Sequence, residues 1–278
     1  MRKFWIENEV GTRFSLNGEQ NIWFTNPQGL GVTFSGTMAD LGEGFFKSVK
    51  SSVRQNSITG NITFLKNVYS AYRDFANFLM SAKSLFILYA PTDLQFKVQV
   101  SVDFLTKSEI NRGRWLQIPV SFSMLTPWYY PSAVEFSASD TPGNVMTYPW
   151  RYGDVVYGST GASMTVVVPP AGHIPASWEL TYDGQLVNPV ILITGQSTEA
   201  VIGRVVVGTT ATGLKVSTRY LDSYVEDGSG NDLLPYVDLD NDPYPRLPLS
   251  EPATILLTAT NEMSGTLKMT VNQYFRTV

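Results

Sequence analysis

The hydrophobic pattern in the centre of the N-terminal half predicts a strand, an amphipathic helix and a second strand. Apolar and polar residues alternate from Ile58 to Phe64, which is the period of a half-buried strand. From Val68 to Ala82 the apolar residues recur in steps of four and three along one stripe of a helix, and Asn67 is a suitable N-cap. Three further residues are expected to widen this stripe: Tyr69, Ala76 and Met80. Because such a helix buries one face, we expect it to lie across a sheet.

Two more strands are predicted downstream of the helix. Strict alternation runs from Phe96 to Phe104, and a second apolar run extends from Trp115 to Leu125. An Arg-Gly-Arg turn lies between them, so we expect an antiparallel hairpin. Pro119 lacks a backbone donor, which indicates an edge strand or a bulge at that position.

The segment that precedes this core contains short predicted strands and one stretch without any period. From Met38 to Ser52 the chain does not alternate, and we interpret it as a floppy arm or a contact loop. It contains Gly42 and Gly44, followed by Phe45 and Phe46, and two adjacent aromatic side chains are unfavourable to leave in water. These four residues are therefore candidates for contact with a neighbouring molecule.

The second half of the chain has a different pattern. Short apolar runs occur between Val166 and Val271, separated by Gly, Pro, Asn and Asp, and no helical period is present. Such runs favour a β-sandwich. A passage rich in Ser, Ala, Gly and Pro precedes them. We predict a mainly β protein with one helix, divided into an N-terminal β-sandwich-like domain (1–130), a linker (131–148) and a second β-sandwich domain (149–278).

Composition narrows the function classes. Residues 1–130 hold 13 basic and 9 acidic side chains and residues 131–278 hold 7 and 15, so neither half is basic enough to predict nucleic-acid binding. The chain has no cysteine, which excludes disulfides and thiolate metal sites. No apolar run approaches the roughly 20 residues of a membrane span. Acidic residues interrupt the start of the chain, so we expect a soluble protein without a cleaved leader.

Two candidate chemical sites lack the partners that they would need. His173 is the only histidine and lies between prolines, so we expect a structural or surface role. Asp238, Asp240 and Asp242 alternate in a polar loop, but a proline occupies the glycine position of a calcium loop and a leucine the position of its bidentate glutamate. We expect a solvated acidic loop. The sequence thus predicts no catalytic residue, no cofactor and no metal site.

Several segments resemble the distal tail proteins of long-tailed bacteriophages. The strand Ile58–Phe64, the aromatic helix, the run Leu85–Tyr89 and the closing segment Leu125–Tyr129 are similar to the N-terminal domain of that family. In the second half, Gly184–Pro189, Gly213–Val216 and Ser264–Leu267 are similar to its galectin-like second domain. The resemblance covers nearly the whole chain and rests on patterned apolar and turn residues.

The resemblance implies a structural role rather than an enzymatic one. It implies a homo-hexameric ring at the distal end of the virion tail, joining the tail tube protein to baseplate, tail-fibre or receptor-binding proteins. The residues themselves, and not the resemblance, make the Phe45-Phe46 arm the candidate ring contact, and the alternative is that these two side chains fold back on their own domain. Two other classes stay open. One is a carbohydrate-binding protein that attaches to host-surface glycans, for which Trp178 and Tyr182 are the nearest stacking candidates, although core packing is the expected role of each. The other is a hydrolase, for which only generic acidic residues are available.

Overall fold

The computed structural model describes residues 2–19, 21–42, 45–54, 56–107, 109, 114–137, 163–170, 172–197, 200–240, 242–261, 263 and 265–278. The protein is predominantly β, and the sequence-based prediction of this fold class is confirmed. The chain divides into two compact units, residues Met1–Tyr130 with Phe275–Val278 and residues Pro131–Tyr274. The last four residues thus belong to the N-terminal unit, which the hydrophobic pattern did not indicate.

The elements have the following bounds. In the first half they are β1 (Lys3–Asn8), β2 (Arg13–Ser15), β3 (Ile22–Gln28), β4 (Phe34–Gly42), β5 (Phe45–Val53), β6 (Ser57–Phe64), α1 (Val68–Ser81), β7 (Leu85–Ala90), β8 (Phe96–Leu105), β9 (Leu116–Met124) and β10 (Trp128–Ser137). In the second half they are β11 (Ser163–Val168), β12 (Ile174–Val187), β13 (Val190–Gly195), β14 (Val201–Val206), β15 (Thr210–Thr218), β16 (Ser223–Asp227), a 3-10 turn (Leu234–Tyr236), β17 (Ala253–Thr258) and β18 (Thr266–Phe275).

In the N-terminal unit, one antiparallel sheet curls until its two ends meet. Its strand order is β2, β1, β7, β8, β9, β6, β3. The two ends are joined by an isolated bridge between Asn17 and Trp23 and by the Phe24 N–H, which donates to the Leu16 carbonyl at 3.0 Å. The Asn17 side chain reinforces this closure, because its Oδ1 accepts the Phe4 N–H at 2.6 Å and its Nδ2 donates to the Phe4 carbonyl at 2.9 Å.

Pro119 lies in β9, which has a paired strand on each side, so the prediction that Pro119 marks an edge strand is wrong. Strand β9 lies between β6 and β8, with Pro119 opposite Asn61. The ladder with β8 ends at Val120, one residue away, so Pro119 has a ladder neighbour on one side only. The bulge in this pairing lies on β8, between Val102 and Phe104.

The helix α1 packs on this sheet with a narrower stripe than the sequence indicates. Val68, Phe75 and Leu79 are buried, and they join one core with residues of the sheet. Tyr69 and Met80 are exposed, so the prediction that they widen the buried stripe is wrong. Each residue turns a helix by about 100°, which carries Tyr69 away from the face that Val68 presents to the sheet.

The helix start differs from an ordinary capped terminus. Asn67 precedes the first helical residue, as predicted, but it adopts a left-handed conformation (φ 45°) and its side chain makes no capping hydrogen bond. Its carbonyl instead accepts the Ala71 N–H at 2.8 Å, the first bond of the helix. Asparagine tolerates this backbone region better than most residues, which explains its presence there.

The second unit is a β-sandwich. One antiparallel sheet has the order β16, β15, β12, β18, and the other has the order β11, β17, β13, β14. Buried side chains from both sheets form one core. Residues Pro131–Ser137, which the sequence placed in a linker, are the second part of β10, and the remainder of the predicted linker lies outside the described residues.

Candidate assembly surface

The segment interpreted as a floppy arm is an ordered hairpin, so that interpretation is wrong. Strands β4 and β5 pair antiparallel from Phe34 opposite Val53 to Gly42 opposite Phe45, with two register shifts. Alternation of apolar and polar residues arises only where one face of a strand is buried, so a paired hairpin can lack it. Gly44 lies outside the described residues, as do the side chains of Phe45 and Phe46.

Both long edges of this hairpin lack a ladder partner within the described part of the chain. Strands β4 and β5 form a sheet of their own and pair with no other described strand. An unpaired edge presents a row of backbone N–H and C=O groups that another chain can pair with. A two-stranded hairpin without further support is marginally stable in water. The hairpin therefore has the properties of an element that is completed by a neighbour.

An exposed apolar pair lies at the base of the hairpin. Phe34 and Val53 are directly opposite each other and are 68% and 45% exposed. Opposed residues in an antiparallel pair project to the same face of the ribbon, so these two side chains form one patch. Arg54 follows the patch and is exposed. Large apolar side chains that cluster on a surface indicate a contact site more strongly than scattered ones do.

Asn56 and Gly29 fix the hairpin to the rest of the unit. The Asn56 Nδ2 donates to the carbonyls of Gly29 and Gly31 at 2.7 and 2.8 Å, and the Met124 N–H donates to the Asn56 carbonyl at 3.0 Å. Gly29 has φ +83°, and a Cβ there would collide with the Ser57 carbonyl oxygen. These contacts orient the hairpin at its base.

An apolar cleft of about 350 Å³ lies near the point where the sheet closes. Its residues are Arg2, Lys3, Phe4, Leu16, Asn17, Glu19, Trp23, Phe24 and Pro27. Phe4, Leu16 and Phe24 are core residues, whereas Trp23 is partly exposed and its ring covers Gly18, where any Cβ would collide with it. Charged side chains stand at the rim. A second cleft of about 480 Å³ shares Lys3 with the first and includes Trp5 and Asp93.

A buried carboxylate stabilises the sheet beside this region. Glu7 on β1 is only 8% exposed at its side chain and accepts hydrogen bonds at 2.6 Å from both Arg13 Nε and Lys97 Nζ. Burial by itself raises the pKa of Glu7, but the hydrogen bonds and charges of Lys97 and Arg13 together outweigh it and hold the pKa below its ordinary value. Glu7 is therefore ionised and paired in the folded state.

The two candidate glycan-stacking residues are buried, so their expected core packing is confirmed and the alternative of a glycan contact is wrong. Trp178 and Tyr182 are 0% and 1% exposed and lie in the core of the sandwich. The Trp178 Nε1 donates to the Pro245 carbonyl at 2.9 Å, and the Tyr182 hydroxyl accepts the Gly265 N–H at 2.7 Å. Neither ring has a face available for stacking on a sugar.

The His173 loop makes a backbone contact with a residue distant in sequence, and the aspartates of the acidic loop make local contacts with the backbone. The His173 N–H donates to the Tyr274 carbonyl at 2.7 Å. Asp238 Oδ1 accepts the Asp240 N–H at 3.1 Å, and Asp242 Oδ1 accepts the Tyr244 N–H at 2.8 Å. Among the described residues, no group of three or more His, Asp or Glu side chains is placed to hold a metal ion. In the same residues, no helix has the length and apolar character of a membrane span.

Comparison with known proteins confirms the family resemblance. Residues 3–125 match the family model of the distal tail protein, N-terminal domain. The fold is similar to that of a chain in the baseplate of phage P2 in its activated conformation with Ca, with a TM-score of 0.72, 14% identity and 100% of both chains covered. It is also similar to the Dit protein of phage SPP1, described as a paradigm of the hub adsorption apparatus in phages that infect Gram-positive hosts, with a TM-score of 0.56, 10% identity, and 97% and 98% of the two chains covered. No curated protein matches the sequence significantly.

Proposed function

We propose that copies of this chain form a non-enzymatic ring at the tail tip. The premise is that the chain is a phage distal tail protein, as the match over residues 3–125 indicates. In this proposal identical copies join head to tail through the N-terminal unit. The ring connects the tail tube protein to baseplate, tail-fibre or receptor-binding proteins. The number of copies, six, comes from the family resemblance, because the tail tubes that such proteins cap are built of hexameric rings.

The hairpin β4–β5 is the observation that carries this proposal. It leaves two edges without a described partner and exposes Phe34 and Val53 at its base. Edge pairing with a neighbouring copy would satisfy its backbone groups, and a contact of this kind is heterologous, so it generates a ring when the rotation closes.

The test uses the full chain, because a fragment that ends at Tyr130 would lose Phe275, whose ring packs against Phe96 at 5.5 Å. Molar mass is measured by light scattering over a range of concentrations. We expect the wild type to form rings, and we expect Phe34→Ser with Val53→Ser, and separately Phe45→Ser with Phe46→Ser, to shift it toward monomer with an unchanged β-rich circular dichroism spectrum.

The outcomes separate the two parts of the proposal. Rings that persist in both double variants would refute the role of the hairpin. A wild type that stays monomeric or dimeric at high concentration, including in the presence of the tail tube protein, would refute the ring itself.

The two units are further proposed to be separable domains, with ring assembly in the first. The motivation is the change of charge and pattern between the halves and the presence of two cores. Limited proteolysis should cut within residues 138–150 and leave two resistant fragments. Early cleavage inside either core with residues 138–150 intact would contradict this boundary.

A further inference from the structure

A ring of identical copies needs two different surfaces on each copy. In a head-to-tail contact the same patch cannot serve both partners, because each copy presents one surface to the neighbour on its left and another to the neighbour on its right. The hairpin base supplies a protruding apolar patch. The N-terminal unit also contains a concave apolar surface, which is the cleft beside Trp23.

We propose that this cleft receives the Phe34–Val53 pair of the neighbouring copy. The inference rests on the proposed ring and names the acceptor surface for its hairpin. Trp23 and Pro27 would line the contact above a floor of core residues, which is the arrangement of a binding hot spot: a desolvated aromatic centre with a charged rim.

Size and occupancy agree with this assignment. The cleft measures about 350 Å³, near the lower end of the roughly 300–1,000 Å³ of small-molecule pockets, so it suits one or two side chains better than a large ligand. Phe34 is 68% exposed in its own copy, so it does not fill the cleft of the same chain. The pair and the cleft are therefore both available to a second copy.

Charge fixes the orientation of the contact. Arg54 follows Val53 and is exposed, and Glu19 is exposed at the rim of the cleft. Neither residue forms an ion pair within the described residues. The rim also carries Arg2 and Lys3, which would repel Arg54. The neighbour must therefore approach with Arg54 toward Glu19, and such pairs select one register of docking.

A charge-swap experiment on the full chain tests this pairing. Glu19→Arg and Arg54→Glu should each raise the concentration of half-assembly by about tenfold, and the double variant Glu19→Arg with Arg54→Glu should restore it. Asp93→Arg, which makes the same change of charge at the second cleft, is the matched control and should assemble like the wild type. Light scattering gives the mass, and circular dichroism confirms that each variant is folded.

Cysteine cross-linking provides an independent measurement. The chain has no native cysteine, so any disulfide comes from the introduced pair. Glu19→Cys with Arg54→Cys should give covalent oligomers on a denaturing gel after oxidation, because a disulfide requires Cα atoms within about 7 Å of each other. Asp93→Cys with Arg54→Cys should give none above the level expected from random collision.

Failure of this inference can be told apart from failure of the ring. Rings in the wild type without rescue by the charge swap, or with equal cross-linking in the two cysteine pairs, would overturn the assignment of the cleft and leave the ring proposal standing. A wild type that never assembles would overturn both.

Discussion

Two of the antiparallel hairpins in the N-terminal unit, β8–β9 and β4–β5, differ in their neighbouring strands and in the exposure of their side chains. Strands β8 and β9 lie inside the curled sheet, each with a further neighbour, and supply Val98, Ile118 and Phe122 to the core. Strands β4 and β5 pair only with each other among the described strands and expose Phe34 and Val53. The β8–β9 hairpin pairs with further strands of its own chain. The β4–β5 hairpin pairs with no further described strand, so its edges are candidates for pairing with another chain.

This difference shows that alternation of apolar and polar residues along a strand reports the burial of one face of the strand. The period of two arises because one face of a sheet is buried and the other is not, so it marks β8 clearly. A ribbon outside the core keeps the same backbone geometry without that constraint on its side chains. A segment without alternation but with pairing potential is therefore a place to look for an intermolecular contact.

The largest expected contrast is between two phenylalanines, one in each hairpin. Phe122→Ala should lower the free energy of unfolding by about 3–5 kcal/mol, because Phe122 is fully buried and its truncation leaves a cavity. Phe34→Ala should change it by less than about 0.5 kcal/mol in the monomer, as for other surface positions. Urea unfolding at a concentration below assembly measures both. Similar losses would show that the β4–β5 hairpin is part of the monomer core.

The next largest expected difference in the free energy of unfolding is between two lysines, one in each hairpin. Lys97 on β8 pairs with the buried Glu7, so Lys97→Met should lower the free energy of unfolding by about 1–3 kcal/mol, since Glu7 loses one of two charged partners. Lys47 on β5 is exposed, and Lys47→Met should leave the monomer unchanged within about 0.5 kcal/mol. A Lys97→Met variant as stable as the wild type would show that Arg13 alone compensates Glu7.

Asn56→Ala should destabilise the β4–β5 hairpin and leave the β8–β9 hairpin unchanged. The variant loses the two bonds from Nδ2 to the carbonyls of Gly29 and Gly31, worth about 1–2 kcal/mol together. Hydrogen exchange followed by mass spectrometry should therefore speed up in β4 and β5 and stay unchanged in β8 and β9. Equal acceleration in both hairpins would indicate that Asn56 stabilises the whole unit instead of the hairpin base.

The smallest expected effect is on the stability of the protein at acidic pH. The pKa of Glu7 is held below its ordinary value of 4.5 in the folded protein, so its contribution to stability is complete above that value and is lost as the pH falls through the lowered folded pKa. Glu7→Gln should remove this part of the acid dependence. Parallel acid-unfolding curves for wild type and Glu7→Gln would contradict the assignment.

Local patterns in the sequence determined the helix over Val68–Ser81, the strands β6, β8 and β9, and the mainly β character, because burial of one face leaves a period that is readable within a few residues. The residues that carried the family resemblance belong to the same patterned segments. From them the resemblance to phage distal tail proteins followed, and residues 3–125 match the family model of the N-terminal domain of those proteins.

Only the tertiary structure decided which residues are exposed and which are buried in a core. The burial of Trp178 and Tyr182, the closure at Asn17 and Trp23, and the return of Phe275–Val278 to the first unit all depend on contacts between residues distant in sequence. Composition and spacing cannot report such contacts, since an aromatic side chain has the same letter in a core and on a surface. The cleft and the Phe34–Val53 patch became visible for the same reason, once the fold had placed strands from separate parts of the chain side by side.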